Sequence, residues 1–196
     1  PFFFVHSAQY LSCVNRKPAI MRKILILGAG RSASTCIQYL LDHSSEYQWN
    51  ITLGDIEEEL AREKIGNHGN GKAVRFDVFD DDQRNRLISA ADIVISMLPS
   101  RMHGLVAKNC VENSKHLVTA SYVSDEIRKL DREAASKGVL LLNEMGVDPG
   151  IDHMSAMRIL DRIRSDGGKP DVFESNTGGL VAPGSDNNPW KYKFTW

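Results

Sequence analysis

The chain of 196 residues is 42% hydrophobic and 25% charged, the proportions of one ordinary globular domain or of one domain with part of another. Lys and Arg number 24 against 25 Asp and Glu, and the formal net charge of -1 leaves no basic excess to neutralise phosphates, which argues against a nucleic-acid partner. The longest apolar runs fall far short of the roughly 20 residues needed to cross a bilayer, so no membrane span is expected. Three cysteines without a CxxC pair suggest neither a disulfide framework nor a zinc site, and place the protein in a reducing, cytoplasmic compartment.

Residues 1–20 begin Pro-Phe-Phe-Phe-Val without an initiator methionine and show no periodicity. Lacking the basic front and apolar stretch of a signal peptide, they are set aside as upstream or non-native sequence, and Met21 is the expected start of the fold. From there short β-rich runs at residues 24–27, 51–53, 73–76, 93–98, 117–119 and 139–142 alternate with segments of helical period. The first and sixth are continuously apolar, and the fourth is so apart from Ser96, as in strands covered by helices on both faces. The expected fold is therefore α/β: a Rossmann-type doubly wound parallel sheet over residues 21–150. After the Asp148-Pro149-Gly150 turn a helix over residues 151–164 is expected, stopped by Asp166-Gly167-Gly168. Residues 151–196 then form a linker helix and the truncated start of a second α/β domain, the ending at Phe194-Thr195-Trp196 reading as a cut.

Directly after the first strand stands Gly28-Ala29-Gly30-Arg31-Ser32-Ala33, a G-x-G-x-x-A turn opening a helix. The first glycine permits the tight turn, the second lets backbone approach a pyrophosphate, and the small final residue lets helix and strand pack closely. Asp55 follows 25 residues after Gly30, at the end of the second strand, where a carboxylate can accept from both ribose hydroxyls and repel a 2′-phosphate. Strand, turn, helix, strand and acid in order predict a dinucleotide cofactor, NAD first with NADP possible. Asp77 after the third strand is placed to meet an adenine amino group, or else caps a helix. Met97 to Ser100, at the carboxyl end of the fourth strand, should line the nicotinamide side, with Pro99 stopping the strand. No metal site is indicated.

Taken together, GAGRSA, Asp92-Ile93-Val94-Ile95-Ser96-Met97-Leu98-Pro99, Leu117-Val118-Thr119-Ala120-Ser121-Tyr122-Val123, the run from Asn143 to His153 through Gly146-Val147-Asp148-Pro149-Gly150, and Gly178-Gly179-Leu180 with Tyr192-Lys193-Phe194-Thr195-Trp196 resemble saccharopine dehydrogenase of the glutamate-forming type. The resemblance covers residues 21–196. It implies an NAD(P)-dependent oxidoreductase of lysine metabolism that converts saccharopine to glutamate and 2-aminoadipate 6-semialdehyde, or runs the reverse, here as an N-terminal fragment expected to be inactive alone. It implies that Gly28, Ala29, Gly30 and Arg31 hold the pyrophosphate, Asp55 and Ile56 the ribose, Phe76 and Asp77 the adenine side, and Met97, Thr119 and Ala120 the nicotinamide. Ser121, with Ala120 beside it, matches a position near saccharopine. Gly146, Val147 and Asp148 match a loop shared by cofactor and substrate, and Trp196 a segment closing over the cofactor.

The chain also departs from that family. Ser175-Asn176-Thr177-Gly178-Gly179 stands where Ser-Tyr-Cys-Gly-Gly is common, and Leu180-Val181-Ala182-Pro183-Gly184 where Leu-Pro-Ala-Pro-Glu is. Imine hydrolysis needs a proton carrier; Asp148 is the first candidate, and it could alternatively cap the following helix. His153 and Ser121 come next, and His103, a first-turn helix residue, is a lesser candidate for substrate contact. Two other readings use the same residues: a dinucleotide-binding sensor without catalysis, and an enzyme of carboxynorspermidine or homospermidine type. The expected partner is the small-molecule substrate, with a homodimer compatible.

Overall fold

The computed structural model describes residues 21–175. The expectations for residues 1–20, for the glycine pair at 178–179 and for Trp196 lie outside them. The chain divides into two compact units, residues 1–143 and 144–196.

In the first unit six strands, β1 (Arg22–Leu27), β2 (Trp49–Asp55), β3 (Gly71–Arg75), β4 (Ile93–Ser96), β5 (His116–Thr119) and β6 (Leu141–Leu142), form one sheet in the order β3-β2-β1-β4-β5-β6. Every pairing is parallel. The helices between them are α1 (Ser34–Tyr47), α2 (Glu58–Ile65), α3 (Asp81–Ala90), α4 (His103–Glu112), α5 (Asp125–Lys129) and α6 (Asp131–Ser136). The unbroken apolar run of β1 has its reason here. Ile24 and Ile26 pack with Ile37, Leu41, Ile51 and Leu53 on one face, while Leu25 and Leu27 pack with Phe76, Ile88, Val94, Val106 and Leu117 on the other. Successive side chains of a strand point to opposite faces, so a strand with two helical covers must be apolar at every position.

The doubly wound parallel sheet read from the sequence is thus borne out, with local differences. β4 stops at Ser96, two residues early, because the chain turns toward Pro99, which has no N–H to give a ladder and instead opens a 3₁₀ turn at Ser100–Met102. β6 has only two residues; the expected strand residue Val139 is instead buried with Val111 and Ala134. The helical period from Ile127 to Ala134 is carried by two short helices. Ser124 caps α5, its hydroxyl accepting from Ile127 N–H at 3.3 Å, and Leu130 N–H turns back to Ile127 O at 3.0 Å, breaking the path into α6.

In the second unit, residues 144–150 make a tight loop before α7 (Ile151–Ser165): Gly146 N–H donates to Pro149 O at 2.9 Å, and Ile151 N–H to Gly146 O at 3.0 Å. The Gly150 N–H donates to Asp152 Oδ1 at 2.8 Å. The helix ends as expected, with Gly167 in the left-handed region (φ 81°) and Gly168 N–H bonded back to Ile163 O at 2.8 Å. No described residue of α7 is buried, and Ile151, Met154, Met157, Ile159 and Ile163 are exposed.

Candidate functional site

The strand order reverses between β1 and β4, and ligands of such sheets bind outside the carboxyl ends of the strands at that point. The G-x-G-x-x-A turn lies there. Gly28 has φ 102°, and a Cβ added to it would stand 2.9 Å from Met97 O. Side chains are thereby excluded from the first motif position by the backbone of the chain leaving β4. Gly30 differs, because a Cβ there would meet nothing within 4 Å. Ala29 and Ala33 are fully buried in the core beneath, so the small last residue of the motif does the close packing read from the sequence. The N–H groups of Gly30, Arg31 and Ser32 have no protein acceptor among the described residues. They lie where the chain enters a 3₁₀ turn at Arg31–Ala33 and then α1, an arrangement suited to an anionic group.

Asp55 is placed at the carboxyl end of β2 as expected, and its carboxylate is occupied by backbone. Ala29 N–H donates to Oδ2 at 2.6 Å and Glu57 N–H to Oδ1 at 3.0 Å. The side chain therefore ties the glycine turn to the β2–α2 connection, and two charge-assisted donors offset part of the charge it would show to a 2′-phosphate. Asp77 Oδ1 accepts from Phe79 N–H at 2.9 Å, a local turn of the kind Asp favours. The cap of α3 is Asp80, which accepts from Gln83 N–H, so Asp77 is not the helix cap.

A cavity of about 680 Å³ is lined by Gly28, Gly30, Asp55, Phe76, Asp77 and Met97, together with Ser32, Ile56, Val78, Phe79, Leu98, Pro99 and Met102. Its volume is within the range of cofactor pockets. It gathers the glycines, Asp55, Ile56, Phe76, Asp77 and Met97 of the sequence reading, while Phe79 and Met102 carried no signal in the sequence. A separate groove of about 610 Å³ beside the edge strand β3, with Glu58, Arg62, Lys72 and Arg75, contains none of these motif residues.

Thr119, Ala120 and Ser121 do not line the cavity. They follow one strand further along the same sheet edge, with Thr119 in register with Ser96. His103 joins them: its Nδ1 is 2.9 Å from Ser96 Oγ and its Nε2 is 2.9 Å from Ser121 Oγ. The imidazole is buried, 2% exposed, and burial lowers its pKa from the ordinary value. His103 is the first residue of α4, as the sequence predicts for this lesser candidate for substrate contact. Nothing local singles out its role, because its partners come from the end of β4 and from the chain at and just after the end of β5. Cys110 is likewise buried, its thiol pushed up to about 12 by desolvation, as befits a core residue.

Gly146, Val147 and Asp148 are in the second unit, in the loop before α7. His153 there is exposed and sits 2.7 Å from Asp152 Oδ1; that hydrogen bond, with the carboxylate charge, raises its pKa.

Residues 24–142 match the saccharopine dehydrogenase NADP binding domain, and residues 146–196 the saccharopine dehydrogenase C-terminal domain. The chain belongs to the saccharopine dehydrogenase family. It is 40% identical over 93% of its length to an alpha-aminoadipic semialdehyde synthase of Arabidopsis thaliana, of which it spans 19%. It is 38% identical over 90% of its length to the saccharopine dehydrogenase [NADP(+), L-glutamate-forming] of Schizosaccharomyces pombe, of which it spans 38%. Among solved structures, the apo histidine-tagged saccharopine dehydrogenase (L-Glu forming) from Saccharomyces cerevisiae matches with a TM-score of 0.77 and 35% identity, over 89% of this chain and 38% of that one. The family bears out the nicotinamide dinucleotide read from the glycine turn and names NADP. Among the described residues no helix is long and apolar enough to cross a membrane.

Proposed function

We propose that the chain provides the NADP-binding domain and the first part of the substrate domain of a saccharopine dehydrogenase, oxidising saccharopine to glutamate and 2-aminoadipate 6-semialdehyde or running the reverse. One observation carries the reading: the cavity that gathers Gly28, Gly30, Asp55, Phe76, Asp77 and Met97 at the switch point of the sheet, in a chain of this family. When bound, the dinucleotide supplies a hydride acceptor. The N–H groups of Gly30, Arg31 and Ser32 hold its pyrophosphate, Asp55 and Ile56 border the ribose, and Phe76 and Asp77 the adenine. Met97, Thr119 and Ala120, with Gly146, Val147 and Trp196, are assigned to its nicotinamide end.

In saccharopine a secondary amine joins glutamate to the six-carbon chain. Loss of hydride from the carbon of the six-carbon chain that bears the nitrogen leaves an iminium ion; water adds to that carbon and gives up a proton, and glutamate departs as its nitrogen takes a proton and the new hydroxyl gives one up, leaving the aldehyde. Asp148 is assigned to that proton transfer and to holding the amine, and Ser121, with Ala120, to the substrate. The reading also includes a cytoplasmic location, consistent with free Cys36 and Cys110, a small-molecule substrate as partner, and a homodimer.

The test is calorimetric titration of the chain with NADP⁺ and NAD⁺. Saturable binding with NADP⁺ the tighter of the two is expected, and a folded chain that binds neither overturns the reading.

A further inference from the structure

His103 and its three hydroxyl neighbours form a closed polar cluster in the core edge of the sheet. Ser96 is 0%, Thr119 1% and His103 2% exposed. Which ring nitrogen carries the proton follows from counting donors and acceptors. A neutral imidazole has one N–H and one acceptor nitrogen, and a serine hydroxyl has one proton to donate. Ser96 Oγ has a single partner among the described residues, His103 Nδ1. If Nδ1 carried the proton, the buried Ser96 hydroxyl would accept it and have nowhere to send its own hydrogen, the costly arrangement for a buried donor. Ser96 must donate, so Nδ1 accepts and the proton is on Nε2.

That proton has two oxygens near it. Thr119 Oγ1 is 3.1 Å from Nε2 and 3.4 Å from Nδ1. An oxygen in line with one ring N–H stands much further from the other nitrogen, so near-equal distances place Thr119 to the side of the ring, aligned with neither. Ser121 Oγ is 2.9 Å from Nε2 and is the oxygen that Nε2–H reaches. Ser121 thus accepts from His103, and its own hydroxyl proton is directed away from the imidazole.

We infer that His103 is a positioning residue that fixes Ser121 as a hydrogen-bond donor toward the substrate, so that the group Ser121 meets is an acceptor, a carboxylate oxygen of the amino-diacid substrate. This rests on the assignment of Ser121 to the substrate made above. The lowered pKa of His103 agrees with a ring kept neutral. On the α5 side the nearby charge is Glu126, which lies over Gly104, the residue next to His103. A carboxylate approaching Ser121 meets the hydroxyl proton directly, whereas a protonated amine would need the opposite orientation, which the Ser96–His103 hydrogen bond opposes.

The test uses the whole chain with ¹⁵N-labelled histidine. Nitrogen–proton couplings in the imidazole report the tautomer, and Nε2–H is expected in the parent. A parent in the Nδ1–H form overturns the inference. With NADP⁺ bound, saccharopine is then titrated while the Ser121 amide is followed. A saturable shift is expected in the parent and in His103→Gln, whose Nε2 keeps a donor near the imidazole N–H, and binding weaker by about tenfold or more in His103→Leu. Equal affinity in His103→Leu, given equal NADP⁺ affinity, refutes the inference, as does a parent with NADP⁺ bound whose Ser121 does not respond to saccharopine. A chain that binds no dinucleotide instead overturns the cofactor reading, and the tautomer measurement still decides the direction of the hydrogen bond.

Discussion

Replacing Gly28 and Gly30 separately by alanine should produce two different kinds of damage. At Gly28 the backbone is at φ 102°, and the new Cβ would be 2.9 Å from Met97 O and 3.0 Å from Met97 C, both backbone atoms of the chain leaving β4. Holding a non-glycine residue in that conformation costs about 1–3 kcal/mol, and forcing the two strands' ends apart costs about 1–3 kcal/mol more. Gly28→Ala should therefore lower the melting temperature by roughly 10–20 °C, taking about 4 °C per kcal/mol for a domain of this size. Gly30 has φ -61°, which alanine adopts freely, and its Cβ would meet no protein atom within 4 Å. Gly30→Ala should melt within a degree or two of the parent. The space that its methyl fills is, however, the space through which the pyrophosphate must reach the free N–H groups. Losing one or two hydrogen bonds to a charged group, about 1.5–3 kcal/mol each, weakens NADP⁺ binding by about 10- to 150-fold or more. Thermal melts and calorimetry on the two variants separate the effects. A Gly30→Ala variant that binds NADP⁺ like the parent would refute the placement of the pyrophosphate, and a Gly28→Ala variant that melts like the parent would refute the close approach of the turn to β4.

Other perturbations follow from single contacts. Arg84, 6% exposed, donates to Val78 O, to Asn109 Oδ1 at 2.5 Å and to Asp81 Oδ1 at 2.7 Å. Arg84→Met leaves two buried acceptors without this donor and should cost about 2–4 kcal/mol in urea unfolding; a loss below about 0.5 kcal/mol would show that water replaces the guanidinium. Burial lowers the His103 pKa, so as pH falls the unfolded chain takes up the proton first. That contribution to stability is whole above the unfolded value, about 6.5, and is lost as pH falls below it. Melts between pH 8 and 5 should show the loss, and His103→Gln should reduce it. The His153 pKa is raised chiefly by its hydrogen bond to Asp152; NMR titration should place it above the ordinary histidine value, and Asp152→Asn should bring it back down.

How much of the site was legible depended on how far apart in the chain its determinants lie. The β1 run and the Gly28-Ala29-Gly30 turn are contiguous, and their meaning survives in the local pattern: apolar at every position because two helical layers cover the strand, glycine first because the backbone of Met97, just past β4, is 2.9 Å from any Cβ. The parallel, doubly wound class followed once six such runs alternated with helices, and the structure adds the order of the strands. The ends of elements were less legible. β4 stops where the chain leaves the ladder ahead of Pro99, and the helix from Ile127 to Ala134 breaks at Leu130 through a hydrogen bond that periodicity does not encode.

Polar groups were the least legible, because a partner found across the fold leaves no spacing to read. Asp55 stands at the position from which a ribose ligand is inferred, yet its oxygens accept from Ala29 and Glu57 N–H. The acid in this motif thus has a structural duty that is present before any ligand arrives. The same logic holds one strand over, where His103 joins Ser96 on β4 to Ser121 after β5. In both places a side chain fixes a neighbouring loop at the carboxyl edge of the sheet, and the groups left over, the N–H groups of the glycine turn and the inferred proton of Ser121, find no acceptor among the described residues. A site built this way needs little reorganisation on binding, since its donors are already oriented by partners inside the protein. Removing Asp55 should accordingly damage the pyrophosphate turn as well as the ribose contact: in Asp55→Ala, affinity for inorganic pyrophosphate, which has no ribose, should fall together with that for NADP⁺. Pyrophosphate affinity unchanged in that variant would return Asp55 to the ribose alone.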